Sequence, residues 1–77
     1  MNDSKEIIEA MADGLSVSVQ DIDRHADLRE DLGLGPLELN DLLTHLSEKF
    51  EVTFDPEDVS NLATVDDLIA LVEDNLI

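Results

Sequence analysis

Two short stretches of this sequence carry residue types at spacings that could do chemistry, and each stops short of a complete site. "GLGPLE", Gly33 to Glu38, has the opening of a dinucleotide-binding loop, in which glycines let backbone N–H groups approach a pyrophosphate at a helix start. Its sixth position is Glu38 rather than glycine and no strand pattern precedes it, so that reading is set aside. "DIDRHADLREDL", Asp21 to Leu32, starts like a calcium loop, with Asp21 and Asp23 in the first two ligand positions. Ala26 then stands where the sharp turn needs glycine, and Leu32 where a bidentate carboxylate is needed. A weak, loosely held divalent cation is the most this loop supports, and no residue is assigned as a metal ligand. His25 and His45 have no companions at metal-ligand spacing, and Asp41, one turn before His45, offers it an exposed helical pair. None of the many carboxylates has the apolar and aromatic flanks that would raise a pKa for acid catalysis. With no cysteine there is no thiolate ligand or thiol nucleophile. No catalytic residue is assigned, and an enzyme is not expected.

Charge narrows the partners. Twenty Asp and Glu face four Lys and Arg, a formal net charge of −16, and no Lys or Arg follows Lys49. Such a field repels nucleic acid and anionic membranes and attracts basic protein surfaces or divalent cations. No apolar run approaches the roughly 20 residues that cross a bilayer, and the N-terminus lacks the basic start and apolar core of a signal peptide. A monomer in the cytoplasm is the expectation.

The elements that must position any site are helical. At 77 residues the chain makes one domain, 1–77, with a small core. Phe50 and Phe54 are its only aromatics, so Leu, Ile and Val must fill that core. Ile7, Ile8 and Met11 predict a first helix over Asp3–Asp13, with Asp3 as cap and Gly14 as stop. Residues 15–34 have no sustained period; Val17, Val19, Ile22, Leu28 and Leu32 are spaced to anchor a long loop to the core, with a short helical turn near Val19 to Asp23. Leu39, Leu42, Leu43, Leu46 and Phe50 then fall at i, i+3, i+4, i+7 and i+11, one face of an amphipathic helix opened by Gly35 and Pro36. "FDPEDV" predicts a short third helix capped by Asp55. Thr64 with Asp67 predicts a capping box for a last helix carrying Val65, Leu68, Ile69, Val72 and Leu76. The expected fold is all-α, a small four-helix bundle with a long loop between helices one and two and a short third helix.

That pattern resembles the acyl carrier protein family over nearly the whole chain. "DLREDLGLGPLELNDLLTHLSEKFEV" is similar to the family's stretch in which Glu-Asp-Leu-Gly precedes an Asp-Ser-Leu triplet, and "TVDDLIALVEDNL" to its last helix. In the family the serine of that triplet carries 4'-phosphopantetheine through a phosphodiester, and the arm's thiol holds the acyl group. Placed on Glu30-Asp31-Leu32-Gly33, the triplet falls on Gly35, Pro36 and Leu37. The resemblance therefore implies an attachment position occupied by Pro36, which has no hydroxyl. Between Ser18 and Thr44 there is no Ser, Thr or Tyr, and Thr44 lies two turns into the helix. No cofactor is expected to be attached.

What the resemblance implies is an acidic helical protein that docks on basic surfaces of fatty acid or polyketide type acyl-chain enzymes without a covalent acyl group. The residues expected to make the contact are Leu37, Glu38, Asp41, Thr44 and Glu48, with Leu37 as the apolar element and the carboxylates steering encounter. Two alternatives stay open: a genuine carrier whose serine has been altered, and a protein that binds an acyl chain or lipid without a tether.

Overall fold

A computed structural model describes residues 3–76, the side chain of Asp3 excepted. The expected Asp3 cap therefore lies outside the described residues. The chain forms α1 (Asp3–Leu15), a 3-10 turn at Val19–Asp21, α2 (Pro36–Phe50), α3 (Pro56–Ser60) and α4 (Val65–Asn75). No strand occurs among the described residues; an isolated bridge joins Asp27 to Thr64.

Local chemistry explains most of the helix ends. Pro36 is the first residue of α2 behind an extended Gly35, so its missing N–H falls where no intrahelical partner exists. Asp55 caps α3 by accepting the Glu57 N–H at 3.0 Å. Thr64 Oγ1 accepts the Asp67 N–H at 3.2 Å while the Asp67 carboxylate accepts the Thr64 N–H at 3.1 Å, the reciprocal capping box the sequence predicts.

The end of α1 differs from the expectation. The helix runs through Gly14 to Leu15, and Ser16 takes the left-handed conformation (φ 59) instead. The Ser16 N–H reaches Asp13 O and the Val17 N–H reaches Ala12 O, a Schellman closure. Gly14 sits at a close approach of the two helices: a Cβ there would lie 3.0 Å from His45 Cδ2 and 3.2 Å from Leu42 Cδ1, so those side chains would have to shift by a few tenths of an ångström. The glycine lets α1 and α2 approach closely.

The apolar stripes meet in one cluster: Ile7, Ala10, Met11 and Ala12 from α1, Leu39, Leu42, Leu43 and Leu46 from α2, Val65, Leu68, Ile69 and Val72 from α4. Burying each of these larger side chains contributes roughly 1.5–3 kcal/mol. Ile8 and Phe50 are only partly buried against the cluster.

The long loop is pinned chiefly through its backbone. Leu28 N–H donates to Ala63 O (2.8 Å), Val65 N–H to Ala26 O (3.0 Å) and Asp66 N–H to Arg24 O (2.9 Å), so residues 24–28 run beside the start of α4. Arg24 adds an exposed ion pair to Asp66 at 2.8 Å, a contact of the kind that contributes at most about 1 kcal/mol. Ile22 and Leu28 are buried and Leu32 is partly buried, as anchors should be. Val17 and Val19 are not: they are 44% and 45% exposed, and Ala26 and Leu34 fill the core in their place. The left-handed turn at Ser16 sends the chain outward before the 24–28 pairing draws it back.

The acidic loop residues serve the backbone. Asp23 accepts the His25 N–H, Asp31 accepts the Asp27 N–H, and Asp27 accepts the N–H groups of Arg29 and Glu30, each at 2.8 Å. Among the described residues no group of three His, Cys, Asp or Glu is placed to hold a metal. The bonds from Glu30 and then Arg29 hold the Asp27 carboxyl below its ordinary range. A folded-state pKa below the unfolded one gives stability that is present above the unfolded value and is lost as pH falls through the folded one. Asp27→Asn is therefore expected to lose less stability than wild type between about pH 6 and about pH 3, read as urea midpoints. Equal losses in both proteins would separate this turn from acid unfolding.

Candidate functional site

The start of α2 is shaped by three residues without a hydroxyl. Gly35 has φ −79 and ψ 177 and offers no side-chain cap, and its carbonyl accepts the Leu39 N–H at 2.9 Å. Pro36 follows, and Leu37 stands 69% exposed beyond it. A helix N-terminus provides an anion-friendly pole, and the first turn of α2 carries Glu38. Both Glu38 carboxylate oxygens lie 3.4 Å from where a Cβ on Gly35 would sit, so the acid folds back toward Gly35.

From there a stripe runs down the outer face. Leu37, Asp41, Thr44 and Glu48 fall at i, i+4, i+7 and i+11, Glu38 lies beside them, and all five are exposed, opposite the buried Leu39, Leu42, Leu43 and Leu46. The structure thus brings the sequence-predicted contact residues onto one surface. Thr44 Oγ1 donates to Asn40 O at 3.0 Å, so the first hydroxyl along α2 is bonded back onto the helix and sits away from its tip.

His45 behaves differently from its expected pairing with Asp41. Its Nε2 turns toward α1 and lies 3.5 Å from Asp13 Oδ2, ion-pair range without a hydrogen bond. The reason is steric, since Gly14 leaves the space its ring occupies.

A groove that sequence reasoning missed opens beside the acidic stripe. It has a volume of about 490 Å³ and is lined by Leu43, Phe54, Pro56 and Val59 together with Asn40, Thr44, Ser47, Glu48 and Thr53. Phe54, one of two aromatics in an aromatic-poor chain, was the available signal. Its place beside α2 depends on the return of the α2–α3 loop. That loop is set by Glu51 in the left-handed conformation (φ 55) and by the Val52 N–H bond to Ser47 O at 3.2 Å.

Comparisons with known proteins agree with this architecture. The family described as "Phosphopantetheine attachment site" matches residues 5–72. The chain is 35% identical to the acyl carrier protein of Exiguobacterium sp. (strain ATCC BAA-1283 / AT1b), over 92% of this chain and 90% of that protein. It is 30% identical to the acyl carrier protein of Nitratidesulfovibrio vulgaris, over 95% and 96%. The crystal structure of an acyl carrier protein from Thermotoga maritima superposes with a TM-score of 0.78 at 22% identity, covering 96% of this chain and 91% of that one, a likeness of fold.

Proposed function

The chain belongs to the acyl carrier protein family, and on that premise we propose that it is a member that docks on partner enzymes without carrying a covalent acyl group. Acyl carrier proteins are not enzymes; they normally bear 4'-phosphopantetheine and interact with enzymes of acyl-chain chemistry. The residues here do not fit attachment of that arm at the α2 tip. The observation that carries the reading is that positions 19–43 contain no Ser, Thr or Tyr, with Pro36 where the family's serine is expected. A phosphodiester needs an alcohol oxygen, and proline has none.

The retained function is contact through α2. Glu38, Asp41 and Glu48 supply the long-range attraction to a basic patch of a fatty acid or polyketide type enzyme in the cytoplasm, and Leu37 supplies an apolar contact. Charges at such a rim act more on the association rate than on affinity. Incubation with coenzyme A and a phosphopantetheinyl transferase is expected to leave the intact mass unchanged. A mass gain would overturn the reading and restore a conventional carrier.

The groove beside Phe54 favours a second reading, binding of an acyl chain without a tether. Such a ligand lacks the high effective concentration that attachment provides and must bind by its own affinity. Titration with a fatty acid should then move the methyl resonances of Leu43 and Val59. Static methyls would exclude it.

A further inference from the structure

Among the described residues, Val17, Val19 and Leu37 are the large apolar side chains left substantially exposed, at 44%, 45% and 69%. They are far apart in sequence, but the helix packing brings their segments to one end of the bundle. Gly14 of α1 faces Leu42 and His45 of α2, while Glu6, Glu9 and Ala10 share a groove with Lys49 and Phe50. The two helices are therefore antiparallel, and α1 runs toward the start of α2. The chain leaves α1 at Ser16 on that side, and the 3-10 turn at Val19–Asp21 stays beside α1 without burying a residue. Backbone hydrogen bonds hold this segment: Ser16 and Val17 close onto α1, and the N–H groups of Asp21 and Ile22 reach Ser18 O and Val19 O. A segment so ordered presents its valines at little further cost in conformational entropy.

We infer that Val17 and Val19 form, with Leu37, an apolar contact at this end of the bundle that seats in an apolar hollow within a basic partner surface. The inference rests on the docking reading above and extends it beyond α2. Asp13, Asp21, Glu38 and Asp41 lie on the same segments and are exposed, so the valines sit in an acidic field. Apolar spots rimmed by charge are typical of docking sites. Charge selects the occupant: a second copy would bring another −16 against this chain's −16, whereas a basic surface is attracted.

Two synthetic probes separate the terms: an amphipathic helical peptide of leucine and lysine, and an all-lysine peptide of equal charge. In an amide-resolved NMR titration the leucine–lysine peptide is expected to shift residues 17–19 together with Leu37 and Asp41. The double variant Val17→Ser, Val19→Ser should bind that peptide about tenfold more weakly, bind the all-lysine peptide as wild type does, and melt at the wild-type temperature. Shifts confined to Asp41, Thr44 and Glu48, or an unchanged affinity in the double variant, would overturn the inference and leave docking through α2 standing. Failure of both peptides to bind would overturn the inference and the docking reading together.

Discussion

Pro36→Ser combined with Gly35→Asp is expected to yield a chain loaded by a phosphopantetheinyl transferase under conditions in which wild type is expected to gain no mass, the largest functional change any two substitutions here should produce. The reasoning is chemical and local. Serine restores an alcohol oxygen at the first position of α2, where N–H groups and the positive helix pole favour a phosphate. Proline is not required there for the helix to start, and serine at an exposed helix end costs well under about 1 kcal/mol in propensity. Gly35→Asp has a nearby like charge to accommodate, because both Glu38 oxygens lie 3.4 Å from the new Cβ. Glu38 is exposed and can swing away from the new side chain. The measurement is intact mass, with wild type treated alongside. A folded double variant that gains no mass would show that Pro36 does not stand at the attachment position.

The largest stability effect is expected from Leu46→Ala. Leu46 is 0% exposed at the centre of the α2 stripe. Removing three buried carbons from such a site costs about 2–5 kcal/mol, the loss of transfer free energy plus the cavity left behind. Small domains have only about 5–15 kcal/mol in total, and each kilocalorie moves the melting temperature by roughly 4–8 °C at this size. A fall of more than about 10 °C follows, read by circular dichroism. Leu37→Ala, on the same helix but 69% exposed, should stay within about 0.5 kcal/mol of wild type in denaturant titrations. Similar losses at the two positions would contradict the division of α2 into a core face and an exposed face.

That division was legible in the sequence because helical periodicity and capping act between residues three or four apart. The buried Leu39, Leu42, Leu43 and Leu46, Pro36 at the first position of α2, the Asp55 cap and the Thr64–Asp67 box all involve neighbours within one or two turns. The same locality exposed the solvent-facing stripe at Leu37, Asp41, Thr44 and Glu48, and the missing hydroxyl between Ser18 and Thr44 needs no structure at all.

The loop and the interhelical contacts were decided elsewhere. Val17 and Val19 look like core anchors by composition, yet they face outward, while Ala26 and Leu34 are buried. What selects among them is the pairing of residues 24–28 with 63–66, groups some forty positions apart whose N–H and C=O partners no local pattern specifies. Gly14 reads as a helix stop and instead makes room for His45, and His45 reads as a partner of Asp41 and instead approaches Asp13, because only the packing of α1 on α2 brings them together. The sequence alone determined which helices form, which faces they bury and that α2 begins without an oxygen nucleophile. Tertiary structure alone decided which apolar residues remain exposed and that a groove opens beside Phe54, since both depend on contacts between segments distant along the chain.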